Sequence, residues 1–183
     1  MLVSANIPER HLQMNRPDPR LLRMTGAMAA SGLGITLMKI ALPTLAGAMG
    51  QSPSEIGLVA GSISVAWPVF GLLAGWVLDR YGRIAGYWTG LLAAAVAATG
   101  YLLLTDQQAN PVLILCLFGL LVGLGEVLTE TSGQTILPDL VDKERYHDGN
   151  SLLQGAKTVF ATLLAPLVIA LLLDGQPRAV FAL

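Results

Sequence analysis

The fold is decided by one short polar stretch, Gly75-Trp76-Val77-Leu78-Asp79-Arg80-Tyr81-Gly82-Arg83. It separates two apolar runs, at about residues 56–78 and 84–104, and each run is long enough for a membrane-spanning helix of about 20 residues. A connection this short makes the two helices antiparallel neighbours. Gly82 supplies the backbone freedom that the turn needs.

Three more apolar runs lie at about residues 25–48, 112–136 and 151–173. Backbone groups in lipid must hydrogen-bond within their own segment, so each run is predicted to be an α-helix. The composition agrees: 54% of the 183 residues are hydrophobic and 13% are charged, against about 25% charged in a typical soluble domain. The sequence therefore predicts an all-α, polytopic membrane helical bundle with about five transmembrane helices.

The chain divides into a polar tail, residues 1–24, and a transmembrane domain, residues 25–183. The tail lacks the pattern of a cleavable signal, because the apolar run behind it is too long. Residues 177–183 look like the start of a truncated sixth helix.

Basic residues set the expected orientation. Eight of them fall in the tail and in the second and fourth connections: Arg10, Arg16, Arg20, Arg23, Arg80, Arg83, Lys143 and Arg145. The opposite side has only Arg178. Because basic loops stay inside, the N-terminus is predicted to be cytoplasmic, with the protein a multi-pass component of the plasma (inner) membrane.

Several function classes are excluded by composition. A net charge of −1 gives no basic excess for binding nucleic acid. With Cys116 as its single cysteine, the chain has no multi-cysteine metal site, and we expect no metal and no cofactor. His11 and His147 both lie outside the predicted spans, and the sequence contains neither H-E-x-x-H nor G-x-S-x-G. We therefore expect that the protein is not an enzyme.

Asp79 has an unfavourable position, because its charge opposes the partial negative charge at the C-terminus of the second helix. It needs a partner, which is either an arginine of its own hairpin or the positive N-terminus of another helix. A partner that is available in only one conformation would make Asp79 a latch. The alternative is a basic anchor that happens to include an aspartate.

Glycine and proline patterns predict a tightly packed bundle. Three spans contain G-x-x-x-G pairs, which let helix backbones approach closely: Gly71 with Gly75, Gly86 with Gly90, and Gly119 with Gly123. A Gly-Leu-Gly sequence recurs at residues 32–34 and 123–125, a faint inverted repeat of the first and fourth helices. Prolines within three spans allow kinks: Pro43, Pro68 and Pro166.

Four charged residues fall inside the predicted spans: Lys39, Glu126, Glu130 and Lys157. Each costs about 2.5 to 3.5 kcal/mol at mid-helix, so they are candidate cavity or coupling charges. Glu126 and Glu130 share a helix face at i, i+4, and two neighbouring carboxylates suit a group that takes up and releases a proton. The alternative for Lys157 and Glu130 is snorkelling to the surface.

Depth along the helices predicts how these charges pair. Lys39 lies about 14 residues into its span, roughly 21 Å from the cytoplasmic side. Lys157 lies only about six residues, or roughly 9 Å, into its own span, and Glu126 is expected near that level. We therefore expect an ion pair between Glu126 and Lys157, with Lys39 as a lone charge in the cavity.

The hairpin resembles the signature loop of the major facilitator superfamily, in the same place between the second and third helices. The matching residues of the pattern G-x-x-x-D-R-x-G-R are Gly75, Asp79, Arg80, Gly82 and Arg83. The resemblance implies a secondary transporter that works by alternating access, with these five residues in a conformational gate. It also implies a C-terminal six-helix half, missing here, against which Asp79 would latch. On this resemblance the chain is expected to be an incomplete N-terminal portion of a longer protein.

A second stretch resembles the branch of siderophore and macrolide efflux permeases: Thr135–Val141, Glu144, Arg145 and Asn150–Leu153. This resemblance implies efflux of a small amphipathic molecule, with a proton as the candidate coupling ion of an antiporter. The expected partners are thus membrane lipid, a small-molecule substrate, a proton and the missing half. The alternative is a membrane-inserted fragment or subunit that transports nothing without a second half.

Overall fold

A computed structural model of the chain describes residues 18–104 and 110–173. The helices are α1 (Pro19–Ala48), α2 (Pro53–Tyr81), α3 (Arg83–Leu104), α4 (Pro111–Leu140), a 3₁₀ turn (Lys143–Arg145), α5 (Tyr146–Thr158), a π-helical segment (Val159–Leu164) and α6 (Ala165–Leu173). The last three run on without interruption, and we call them rod 5. The predicted sixth-helix start at 177–183 and the tail up to residue 17 lie outside the described residues.

The ends of α2 follow from its terminal residues. At the start, the Ser52 backbone N–H donates to Glu55 Oε2 at 2.8 Å, and Ser52 caps the backbone N–H of Glu55 in return. At the end, Gly82 has φ +89° and its N–H donates to the carbonyl of Leu78 at 2.9 Å. The role predicted for Gly82 is confirmed, because that φ disfavours a residue with a Cβ.

Proline explains the irregular turn of rod 5. Pro166 stands at the second position of α6, directly after the π-helical segment. A proline lacks the backbone N–H that would bond to the fourth residue before it, and its ring crowds that carbonyl. The preceding turn widens to π geometry as a result.

Close backbone contacts hold the bundle together. An added Cβ on Gly125 of α4 would lie 2.7 Å from the carbonyl oxygen of Gly90 of α3, so the two helices touch through these glycines. Gly119 and Gly123 likewise lie against Ser62 and Ala66 of α2. The tight packing predicted from these G-x-x-x-G pairs is confirmed.

One predicted pair behaves differently. An added Cβ on either Gly71 or Gly75 of α2 would meet nothing within 4 Å, so this side of α2 is open among the described residues. Large apolar side chains on α2 are exposed as well, and Leu72 is 89% exposed. An apolar surface of this kind is suited to lipid or to another helix, not to water.

The core lies where α1, α2, α4 and α6 meet, and its fully buried side chains include Leu42, Val59, Val122 and Ala165. In the described part of the chain, four helices are long and apolar enough to cross a membrane, namely Pro19–Ala48, Pro53–Tyr81, Pro111–Leu140 and Tyr146–Leu171. Every regular element in the described ranges is helical. The predicted fold class, an all-α membrane helical bundle, is confirmed.

Candidate functional site

A lysine of α1 and a glutamate of α4 form an ion pair inside the bundle. Lys39 Nζ donates to Glu126 Oε1 at 2.8 Å and to Glu126 Oε2 at 3.0 Å. The Lys39 side chain is 37% exposed and that of Glu126 is 22% exposed. The bidentate contact satisfies both carboxylate oxygens, and it ties α1 to α4 near the middle of each helix.

A second ion pair lies one helical turn along α4. Lys157 of rod 5 donates to Glu130 Oε2, and the amide of Gln134 donates to Glu130 Oε1 at 2.9 Å. The stem of Lys157 crosses α1 at Gly32, where an added Cβ would lie 3.4 Å from Lys157 Cγ. Gly32 therefore leaves the room in which Lys157 reaches α4.

The pairing expected from depth, Glu126 with Lys157 and Lys39 alone, is wrong. Rod 5 is helical from Tyr146, so Lys157 is eleven residues past its start, and α4 is helical to Leu140, so Glu130 is ten residues before its end. At 1.5 Å per residue both residues lie roughly 15 to 17 Å from those ends. Because they lie at the same depth, Lys157 and Glu130 can form an ion pair. Glu126 lies one turn farther from the same end of α4, where it meets Lys39.

A small cavity of about 30 Å³ connects the two ion pairs. Glu126, Glu130 and Lys157 contribute to its wall, together with hydroxyl residues that include Ser31 and Thr129. A polar space of this size is large enough for a water molecule. The four charges are therefore members of one polar strip that crosses α1, α4 and rod 5.

The hairpin residues form a second cluster. Arg83, the first residue of α3, makes an ion pair with Asp139 near the end of α4, and both side chains are exposed, by 45% and 64%. Asp79 is exposed and has neither a hydrogen bond nor an ion pair with any residue that the structure describes. Of the two arginines of the hairpin, Arg83 thus binds α4, and neither pairs with Asp79 in the described part of the chain.

The other matched hairpin residues have simple surroundings. Arg80 is exposed in the last turn of α2, and Gly75 lies on the open side of that helix. Gly82 is the cap described above. Within the described ranges no group of three or more potential ligands is placed to hold a metal ion.

Several residues of the site were not predicted from the sequence. Asp139 is the partner of Arg83, Gln134 holds Glu130, and Gly32 accommodates Lys157. Asp139 lies in the stretch Thr135–Val141 that the resemblance singles out, but its pairing with Arg83 was signalled only by its position just past the end of a predicted helix, in line with a basic hairpin. Gln134 carries a clearer signal, because it follows Glu130 by four residues on one helix face.

Comparison with protein families matches residues 24–183 to the Major Facilitator Superfamily. The match covers most of the chain, and it agrees with the apolar helices and with the hairpin motif. The chain therefore belongs to the Major Facilitator Superfamily, a family of membrane transporters and not of enzymes, and it is an integral multi-pass membrane protein. Neither the curated proteins nor the solved structures give a match.

Proposed function

We propose that this chain is part of a secondary active transporter that moves a small amphipathic molecule outward across the plasma membrane by alternating access. The proposal places the N-terminus in the cytoplasm, as the distribution of basic residues favours. Efflux and an amphipathic substrate rest on the sequence between Thr135 and Leu153, which resembles efflux permeases.

The observation that carries the proposal is the pair of ion bridges within the bundle. Lys39 with Glu126 and Lys157 with Glu130 join three helices through charged groups. Charged residues are costly inside a membrane, and they are found mainly where they face a substrate or ion pathway. A merely structural bundle does not need charges at these four positions, because apolar residues of similar volume often stabilise a protein interior equally well or better.

Glu126 is the proposed coupling group. Uptake of a proton by its carboxylate would remove the negative charge that holds Lys39, and α1 could then separate from α4. Glu126 accepts both of its hydrogen bonds from Lys39, whereas Glu130 accepts one from Lys157 and one from Gln134 of its own helix. A proton is thus the proposed coupling ion, and Glu126 the first carboxylate to release its partner.

Asp79, Arg80 and Arg83 with the hairpin glycines form the proposed gate. Arg83 is held by Asp139, which fixes the hairpin to the end of α4. Asp79 is left exposed, and its charge is unfavourable at the C-terminus of α2. A positive helix N-terminus contributed by a second half would give Asp79 a partner in one conformation only.

Dye efflux from living cells tests the function. The chain, alone or together with a C-terminal half from the same family, is produced in cells that lack their main efflux pumps, and the accumulation of fluorescent amphipathic dyes is measured. We expect the cells to accumulate less dye when the protein is present. A protonophore should restore the accumulation, and the Glu126→Gln variant should show no efflux. Asp148→Asn, which changes an exposed carboxylate outside the strip, is the matched control and keeps the efflux. Full efflux by the Glu126→Gln variant would contradict the proposal.

Cysteine labelling tests the orientation. Cys116 is replaced by serine, and Arg80→Cys introduces a single cysteine. The variant is then labelled in sealed cells. We expect an impermeant maleimide to label it only after the cells are opened. Labelling from outside would reverse the topology and remove the basis for a cytoplasmic gate.

The alternative is a membrane-inserted subunit that moves nothing until a second half is bound. It is supported by Asp79, which has no partner among the residues that the structure describes, and by the open side of α2 at Gly71 and Gly75. Dye efflux that appears only on co-production with a C-terminal half would favour this alternative, and efflux by the chain alone would exclude it.

A further inference from the structure

The two ion pairs of the bundle differ in how completely their polar atoms are used. Glu130 accepts a hydrogen bond at each carboxylate oxygen, one from Lys157 and one from Gln134, and its side chain is 12% exposed. Glu126 accepts both of its hydrogen bonds from Lys39, and its side chain is 22% exposed. The Lys39–Glu126 pair is therefore the more accessible of the two.

The Lys39–Glu126 pair has further hydrogen-bonding capacity. An ammonium has three N–H donors, and two of them suffice for the contacts of Lys39 with Glu126. A carboxylate offers about four lone-pair sites, and within the described ranges Lys39 is the one residue that donates to the carboxylate of Glu126. One donor and about two acceptor sites thus remain side by side for a ligand.

Pro43 adds another acceptor on the same turn of α1. It stands inside the helix four residues after Lys39, and it has no N–H to donate to the Lys39 carbonyl. A backbone carbonyl within a membrane needs a donor, because lipid supplies none. This carbonyl favours a ligand that carries N–H groups. The ring of Pro43 is itself partly exposed, so it offers such a ligand an apolar contact.

The polar strip as a whole is neutral, which limits the charge of the ligand. Its two lysines balance its two glutamates. The charged residues of α2 and α3 all lie in the end turns of those helices: Glu55, Asp79, Arg80 and Arg83. The Tyr87 hydroxyl of α3 donates to Ser31 and not to the strip's carboxylates. A cation or an anion would therefore introduce a charge without a partner, which is costly inside a membrane, whereas a zwitterion would not.

We infer that the Lys39–Glu126 pair binds a zwitterionic amphipathic molecule of the α-amino acid class, with its carboxylate on Lys39 and its ammonium on Glu126 and the Lys39 carbonyl. The four charges then alternate in sign, and each has two neighbours of opposite sign. The donor and acceptor atoms of the protein pair are 2.8 to 3.0 Å apart, and those of the ligand are similarly close when one carbon atom carries both groups.

The inference rests on the proposed function and names the class of molecule that is transported. A protonated Glu126 has lost the negative charge that binds the ammonium. The ligand and the proposed coupling proton therefore compete for one carboxylate, as an exchange of the two across the membrane requires.

Equilibrium binding of three matched fluorescent probes to the purified protein in detergent micelles tests the inference. Nε-dansyl-lysine is the zwitterion, dansylcadaverine lacks its carboxylate, and ε-dansylaminocaproic acid lacks its ammonium. We expect the zwitterion to bind at least about tenfold more tightly than either of the others, which is the effect of one hydrogen bond to a charged group. This comparison uses the unaltered protein, so it does not depend on the folding of a variant.

Two variants identify the two contacts. Lys39→Met should remove the advantage of the zwitterion over the cationic probe, and Glu126→Gln should remove its advantage over the anionic probe. Lys143→Gln changes an exposed basic residue outside the strip and is the control, with all three affinities unchanged.

Equal affinities of the unaltered protein for the three probes, or a preference for the zwitterion that survives both variants, would overturn the inference. The dye assay separates this failure from failure of the proposed function. Preferential binding of the zwitterion without any efflux would support the site and contradict transport, whereas efflux without that preference would support transport and overturn the site.

Discussion

Replacing Lys39 by methionine removes the ammonium from the Lys39–Glu126 ion pair and keeps an unbranched side chain of comparable reach. Glu126 then lacks the two hydrogen bonds of 2.8 and 3.0 Å that it accepts from Lys39. The complementary change, Glu126→Gln, leaves the ammonium without its countercharge. We expect each single variant to lower the free energy of unfolding, and the double variant to lower it by less than the sum of the two.

The size of the coupling can be worked from the contact. Interhelical hydrogen bonds in membranes contribute about 0.6 kcal/mol each, so two of them give a lower value of about 1.2 kcal/mol. Loss of one partner of a fully buried ion pair costs about 3 to 5 kcal/mol. Because Lys39 is 37% exposed, we take the lower end of that range, about 3 kcal/mol, as the upper value for this pair. The coupling between Lys39 and Glu126 is therefore expected between about 1 and 3 kcal/mol.

Unfolding of the purified protein in mixed micelles, titrated with a denaturing detergent and followed by circular dichroism, measures these free energies. A double-mutant cycle isolates the pair, because effects common to the single variants cancel. A second cycle combines Glu126→Gln with Lys157→Met, two changes in residues that do not pair in the structure. This cycle is the matched comparison, and because Lys157 lies on the same cavity as Glu126 but is bound to Glu130, we expect a smaller coupling than in the first cycle.

The reasoning is refuted if the two cycles exchange their results. Coupling between Glu126 and Lys157 would restore the pairing expected from sequence depth. Additivity in both cycles would mean that neither lysine holds Glu126, and the polar strip would then lose its role as a link between helices.

Three further predictions concern the packing and the hairpin. Gly125→Ala should lower the free energy of unfolding by about 1 to 3 kcal/mol, because its Cβ would press on α3, whereas Gly61→Ala at an open position should change it little in the same titration. Arg83→Gln should change stability by less than about 1 kcal/mol, because both partners of its ion pair are exposed, and a larger loss would show that the bridge is shielded from solvent. Gly82→Ala should cost about 1 to 3 kcal/mol, because φ there is +89°, and an unchanged unfolding midpoint would contradict the strained turn.

The helices and the turn at Gly82 could be predicted because they depend on local properties. Apolar runs of sufficient length must be helical in lipid, and a glycine at the end of α2 permits a positive φ whatever surrounds it. The close contact of Gly119 and Gly123 with α2 was foreseeable for a similar reason, since two small residues on one face invite another backbone.

The pairing of the charges was missed because Glu126 and Glu130 share one face of α4 and differ in depth by only one turn, which is as small as the shift of the helix ends between sequence and structure. Helical structure beyond Ile136, through Pro138 and on to Leu140, moves Glu130 deeper relative to the end of α4. An earlier start of rod 5, at Tyr146, does the same for Lys157. Since the two ends shift by four and five residues in the same sense, Glu130 and Lys157 share a level under either set of bounds, and the expected pairing was wrong because it placed Glu126 one turn, roughly 6 Å, too close to that end of α4.

The four-residue spacing of Glu126 and Glu130 limits how α4 can move. Glu126 and Glu130 face the lysines of two different neighbours, so a turn of α4 about its axis by one residue, about 100°, would swing both carboxylates away together. A slide along the axis by one turn, about 5.4 Å, would instead bring one glutamate to the position that the other has just left. After the slide one lysine again faces a carboxylate, so this motion retains one of the two ion pairs, whereas the rotation retains neither.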